Sequence, residues 1–126
     1  MNFPNDCKYT KDHEWVRIEG DVAVVGITEF AQGELGELVF VDLPATGKTV
    51  AAHDTMCVVE STKAASDVYS PIAGTVNAAN TALTNDPGLI NKDPHGAGWI
   101  VKLEGFSASE VASLMSADEY RALVGK

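Results

Sequence analysis

Val58-Val59-Glu60-Ser61-Thr62-Lys63-Ala64-Ala65-Ser66-Asp67-Val68-Tyr69-Ser70-Pro71 reads as a β-hairpin with one lysine at its turn. Residues 56–59 form an apolar run of the kind that makes a buried strand. Ser61 and Thr62 are small polar residues suited to a bend. Residues 67–69 are short and rich in β-formers, and Ser70-Pro71 stops them, because proline cannot donate to a sheet ladder. The pattern is strand, tight turn, strand, with Lys63 at the tip. Most lysines are merely solvated, but Lys63 differs from that background in three ways. No other Lys or Arg lies between Lys48 and Lys92. Thr62, Ala64 and Ala65 are small, so another protein can reach the amine. Pro71-Ile72-Ala73-Gly74 follows at once and pins the second arm of the hairpin.

Upstream of the hairpin, residues 15–18 and 22–27 read as two strands around the turn-like Glu19-Gly20-Asp21. Thr28 suits the N-cap of a short helix through Glu34, limited by Gly33 and Gly36. Residues 38–41 are another apolar strand, and residues 43–49, with Pro44 and Gly47, are a loop. Residues 51–54 lead into the hairpin.

Downstream, residues 75–79 alternate weakly around Val76, and residues 84–88 and 91–98 are turn clusters. Residues 99–103 alternate, with Trp99, Val101 and Leu103 predicted on one side and Ile100 and Lys102 on the other. Two capping-box patterns close the chain. Ser107-Ala108-Ser109-Glu110 precedes Val111, Leu114 and Met115; Ser116-Ala117-Asp118-Glu119 precedes Tyr120, Leu123 and Val124. They predict two short helices that part near Ser116 and close one side of a sheet. Gly36-Glu37-Leu38-Val39 and Gly74-Thr75-Val76-Asn77 echo each other on either side of Lys63, as two half-units of a sandwich would.

The 126 residues suffice for one domain. The expected organisation is an N-terminal arm over 1–8, a sandwich over 9–104 and C-terminal helices over 107–124. The net charge of −9, from 18 acidic and 9 basic residues, argues against nucleic-acid partners and favours proteins with basic patches. No apolar run is long enough to cross a bilayer. The N-terminus lacks a signal or transit pattern, which places the protein most simply in the cytoplasm, or in the mitochondrial matrix if the source is eukaryotic. Cys57 reads as a small buried residue, Cys7 lies in the arm without an evident partner, and the two have no metal-ligand spacing. His13, His53 and His95 form neither a triad nor a metal pattern, and Trp15 and Trp99 read as core. Gly47-Lys48-Thr49 lacks the upstream glycine of a phosphate loop.

Glu60-Ser61-Thr62-Lys63-Ala64-Ala65-Ser66-Asp67 resembles the lipoylation hairpin of the glycine cleavage system H proteins. Other segments resemble that family's signatures in the same order: residues 9–16, 26–32, 36–44, 87–91 and 98–100. The resemblance implies a mainly β fold, a flattened lipoyl/biotinyl-type β-sandwich (barrel-sandwich hybrid) with short helices. It implies (R)-lipoate bound covalently to Lys63. It also implies a carrier, not an enzyme. Such a carrier takes the aminomethyl group of glycine from a pyridoxal-phosphate decarboxylase to a tetrahydrofolate-dependent aminomethyltransferase, and then presents its dithiol to dihydrolipoamide dehydrogenase. Lipoyl-attaching enzymes are implied as further partners. Thr62 stands where the family often has an apolar β-branched residue, and His95 replaces an aromatic one; the second departure bears on local packing only.

An aminomethyl group on sulfur is prone to hydrolysis, because its nitrogen lone pair can expel the thiolate. A carboxylate that keeps the amine protonated, in a site that excludes water, would slow this loss. Glu14, in the family-like opening Asp12-His13-Glu14-Trp15, is the first candidate to dock the loaded arm, and Asp67 is the second. The ordinary alternative is that both are solvated carboxylates.

A biotin carrier usually has methionines flanking its lysine, whereas Thr62 and Ala64 flank this one. A lipoyl domain of a 2-oxoacid dehydrogenase usually has an acidic residue before the lysine and a Pro/Ala-rich tether; neither is present. An H-like protein that relays lipoyl groups to other carriers would use Lys63 equally well. An interaction module with a merely exposed Lys63 is a third class. A free-standing hydrolase fits worst, since no nucleophile, base and orienter occur together.

Overall fold

A computed structural model describes residues 2–125. The first strands are β1 (Lys8–Tyr9), β2 (Glu14–Glu19) and β3 (Val22–Ile27), followed by helix α1 (Glu29–Leu35). Then come β4 (Leu38–Asp42), β5 (Thr49–Val50), β6 (Thr55–Ser61), β7 (Ala65–Tyr69) and β8 (Gly74–Ala79). Helices α2 (Ala82–Asn85) and α3 (Leu89–Lys92) precede β9 (Val101–Glu104), and α4 (Ala108–Ala112) and α5 (Ala117–Val124) end the chain. The strands form two antiparallel sheets, a six-stranded one in the order β1-β2-β3-β9-β8-β5 and a three-stranded one in the order β4-β6-β7. This is the mainly β sandwich with short helices that the sequence implied.

The pleat sorts side chains between two cores. Val16, Ala23, Val25, Val101 and Leu103 of the larger sheet face Leu38, Val41, Met56, Val59 and Val68 of the smaller, and together they fill the sandwich. Their neighbours in the pleat, Trp15 and Val24, point the other way. They pack with Phe3, Cys7, Tyr9, Ala117 and Tyr120 in a second cluster. That cluster is where α5 closes the outer face of the larger sheet. Tyr9 stacks on Tyr120 with ring centroids 4.9 Å apart, and Phe3 meets Tyr120 edge-on. The N-terminal segment is therefore packed through Phe3, whose carbonyl accepts from Arg121. Trp15 lies directly over Gly26, where an added Cβ would fall 2.8 Å from the indole, so this cross-strand pair requires glycine.

The echoing segments fall in different sheets, β4 and β8, with Leu38 and Val76 both buried in the sandwich core. Three local expectations need correction. The turn clusters after β8 also hold two single-turn helices, α2 and α3, which bury Leu83 and Ile90. Four-residue helices have too little periodicity to stand out in a sequence. The alternation of residues 99–103 breaks at its start: Ile100 is fully buried, whereas Trp99 is half-buried beneath the Lys102 ammonium at 4.9 Å. Finally, only the second capping box forms. Ser116 and Glu119 exchange both bonds, but Ser107 makes no cap, and Glu110 instead accepts from the Ala73 amide at 2.8 Å.

Candidate functional site

Lys63 is exposed in the three-residue connection between β6 and β7. The Ser61 hydroxyl shapes the turn. It accepts from the Lys63 and Ala64 amides at 3.1 and 3.2 Å and donates to the Ala64 carbonyl. The Thr62 amide donates to the Glu37 carbonyl, which ties the tip to the start of β4. Asn91 fixes that mount from below. Its carbonyl accepts from the Leu38 amide, and its amide group donates to Gln32 and to the Gly36 carbonyl at 2.8 Å. The stem of Lys63 lies against Gly36, where an added Cβ would approach Cε to 3.2 Å. Gly36 has a φ of 84°, so a side chain there would be both strained and obstructive. Among the described residues the ion pairs are Arg17–Glu19 and Arg121–Asp118, and neither engages Lys63.

Starting three residues beyond Lys63, β7 forms one wall of a cleft of about 370 Å³. Ser66, Asp67 and Val68 line that wall, Phe30, Ala31, Glu34 and Leu35 of α1 face it, and Asp12, His13, Glu14 and Ile27 complete it. Both sequence-predicted carboxylates are thus brought to one cavity, although Glu14 and Asp67 are 53 positions apart in the chain. Their environments differ. Asp67 is exposed, whereas Glu14 is only 2 % exposed. Burial pushes the Glu14 carboxyl up to about 7, opposed by the Thr10 hydroxyl that donates to it at 2.6 Å and reinforced by Asp12. Glu14 opens β2 opposite Ile27, and a tight turn over residues 10–14, with His13 at a φ of 72°, aims the segment. The Thr10 hydroxyl also accepts from the Glu14 amide.

The cleft contains residues that the sequence reading left out. Phe30, Ala31, Glu34 and Leu35 share a helical face, a spacing that could have revealed them. His13, read as structural, lines the cavity. Its Nδ1 lies 2.7 Å from the Tyr120 hydroxyl on α5, a partner no local pattern could indicate. His95, by contrast, is buried away from the cleft between Tyr9 and Trp15, with Nε2 unpartnered among the described residues. Trp15 donates to the Ile27 and Pro94 carbonyls, and both cysteines are buried and free. No group of His, Cys, Asp and Glu among the described residues could hold a metal ion.

The sequence profile described as glycine cleavage H-protein matches residues 7–126. A glycine cleavage system H protein of Nitratidesulfovibrio vulgaris is 53% identical over 126 residues, spanning 100% of this chain and 98% of its own. One from Bacteroides thetaiotaomicron is 48% identical over 124 residues, 98% of each chain. The crystal structure of a glycine cleavage system H protein from Mycobacterium marinum superposes with a TM-score of 0.89 at 42% identity, covering 98% of this chain and all of that one. The lysine-tipped hairpin, the shared sandwich and a match that runs over residues 7–126 leave one assignment: the chain belongs to the glycine cleavage H-protein family.

Proposed function

We propose that Lys63 carries (R)-lipoate in amide linkage and that the chain serves the glycine cleavage system as its mobile-arm carrier. The family is one of lipoyl-carrying proteins that work with the other proteins of that system. The observation that carries the reading is the placement of Lys63 on a rigid, reachable tip, with an acid-lined cleft beginning three residues further along the chain. The site fits the group: the amine is exposed, Ala64 and Ala65 leave it unobstructed, and Gly36 gives its stem room. Acylation also replaces the lysine's basic amine with a neutral amide tether. Once attached, the dithiolane supplies the redox-active sulfurs that accept glycine's aminomethyl group from the decarboxylase, yield it to the tetrahydrofolate-dependent aminomethyltransferase, and return to the disulfide at dihydrolipoamide dehydrogenase.

The chain's own residues protect the cargo in transit. Asp12, Glu14, Glu34 and Asp67 offer negative charge to a cationic amine, and Ile27, Phe30, Leu35 and Val68 keep water away from it. In the empty cleft Glu14 holds a proton part of the time near neutrality. A docked ammonium favours its ionised form, so Glu14 releases that proton and pairs with the cargo. Asp67, exposed at the mouth, contributes a weaker attraction. This role for the cleft favours glycine cleavage over a simple relay of lipoyl groups, since a relay handles no amine.

The surrounding reading is of a shared substrate for several enzymes: the decarboxylase, the aminomethyltransferase, the dehydrogenase and the lipoyl-attaching enzymes. A cytoplasmic setting goes with this reading, since the relatives named above are bacterial. No helix among the described residues is long and apolar enough to cross a membrane. The test is peptide mass spectrometry after expression with lipoate and a lipoylating system, beside Lys63→Arg. A lipoyl adduct confined to the Lys63 peptide, followed by glycine–bicarbonate exchange with the decarboxylase, is the expected outcome. An unmodified chain under conditions that lipoylate a control carrier would overturn the proposal.

A further inference from the structure

Behind the cleft, three side chains from three elements meet at one buried oxygen. The Tyr120 hydroxyl of α5 lies 2.7 Å from His13 Nδ1 and 2.8 Å from Thr28 Oγ1. Thr28 caps α1, one wall of the cleft; His13 belongs to the facing segment. The two are also joined directly, since the Thr28 amide donates to the His13 carbonyl at 3.0 Å.

The proton count in this group has one satisfactory solution. Thr28 and Tyr120 are both 0 % exposed, so each hydroxyl proton needs a protein acceptor. Thr28 Oγ1 already accepts from the Ala31 amide at 3.1 Å. Among the described residues its hydroxyl proton has only the Tyr120 oxygen to go to. The tyrosine proton must then point at His13 Nδ1. The reverse order, with Nδ1–H donating to Tyr120 and Tyr120 to Thr28, leaves the threonine proton buried without an acceptor.

We propose that the Thr28–Tyr120–His13 chain holds His13 as a neutral imidazole with its proton on Nε2, and so keeps the cleft selective for a cationic cargo. This rests on the carrier reading above. Protonating His13 would place a hydrogen on Nδ1, force Tyr120 to turn its proton away and strand Thr28. The groups that face His13 are Asp12 in its own segment, Glu14 beside it, Glu34 of α1, Asp67 across the cleft and Tyr120 of α5. Asp12 and Glu34 pull towards the imidazolium, but burial outweighs them and holds His13 below its usual value. Without the hydroxyl, burial alone opposes the carboxylates, so the imidazolium forms at a higher pH and, at mildly acidic pH, places a cation in the wall meant to receive one. His13 and Tyr120 are thus positioning residues: they set the charge of the site and transform nothing.

The test begins with imidazole ¹⁵N NMR on the chain before lipoylation, so it does not depend on the carrier reading. His13 should show the Nε2–H tautomer and remain neutral as the pH falls through the ordinary histidine range. In Tyr120→Phe it should become protonated at a higher pH. An Nδ1–H tautomer in the unaltered protein, or identical titration in the variant, would overturn the proposal. The functional arm uses lipoylated protein loaded by the decarboxylase with glycine, at mildly acidic pH. Loss of cargo in Tyr120→Phe should be roughly three- to tenfold faster, as expected for one added charge near the edge of a hydrated cleft. Adding His13→Asn, which cannot become cationic and tolerates a positive φ, should restore the slow loss. If the double variant loses cargo as fast as Tyr120→Phe, the effect is loosening of the walls and the charge argument is refuted.

Discussion

Replacing Glu14 with glutamine should make the protein more stable and a worse carrier, and both effects follow from one buried carboxyl. Its value is raised from 4.5 to about 7, chiefly by burial. The unfolded chain releases this proton near the lower value, whereas the folded chain keeps it until the higher one. Stability is therefore intact below the lower value and is lost as the pH rises through the higher one. At about 1.4 kcal/mol per pKa unit, the interval corresponds to about 3 kcal/mol of destabilisation at alkaline pH. Glu14→Gln removes the ionisation and keeps an oxygen for the Thr10 hydroxyl that now donates at 2.6 Å. Urea unfolding should give the variant and the unaltered protein nearly equal stability at about pH 4, and the variant an advantage approaching 3 kcal/mol at about pH 8. The lipoylated, glycine-loaded variant should meanwhile lose its cargo faster, because the neutral amide cannot pair with the ammonium. A stability difference that does not change with pH would refute the claim that burial holds the proton on Glu14. An unchanged cargo lifetime would refute its role in docking.

Two other substitutions test the frame around the site. His95 sits between Tyr9 and Trp15 with Nε2 unpartnered, and burial, with Arg17 adding to it, lowers its value from 6.5 to about 4. His95→Phe should gain about 1–3 kcal/mol at neutral pH by removing the unsatisfied nitrogen. The unfolded histidine binds a proton that the folded one refuses, so the unaltered protein loses stability as the pH falls below 6.5. The gain in the variant should therefore grow by about 2 kcal/mol between about pH 7.5 and about pH 5; a constant gain would count against a neutral buried imidazole. Asn91→Ala should cost about 2–3 kcal/mol in urea unfolding, since it strands the Leu38 amide and the Gly36 carbonyl. It should also slow lipoylation of Lys63 by unseating the mount of the hairpin, and unchanged kinetics of modification would show that Ser61 and the Thr62–Glu37 bond hold the tip without Asn91.

Much of this molecule follows from local chemistry. The hairpin is written in an apolar run, a small polar bend and a proline stop, because strand, turn and termination are short-range preferences. Thr28 caps its helix and Ser116 forms its box with Glu119, because both reach only one turn along the backbone. The same locality explains the failures. Ser107 has the capping pattern, but Glu110 is taken by the Ala73 amide of another segment. The residues 99–103 alternate in hydropathy, but burial at Ile100 depends on the neighbouring strand and loop, not on its own place in the pattern.

The chemistry around Lys63 divides along the same line. The lysine, its small neighbours and the strand-turn-strand that bears them were determined by one continuous stretch of sequence, whereas the mount beneath, Glu37 and Asn91, comes from elsewhere in the chain. The cleft was decided only by tertiary structure: Glu14 from β2, Glu34 from α1 and Asp67 from β7 become one acidic site when the two sheets close on each other. The proton on Glu14 belongs to that level too, since desolvation requires walls that no single segment supplies. So does the partner of His13, a tyrosine 107 residues away that reaches it only because α5 packs across the larger sheet. Sequence specifies preferences that act over a few residues, whereas burial and convergence of distant charges arise when the chain excludes water.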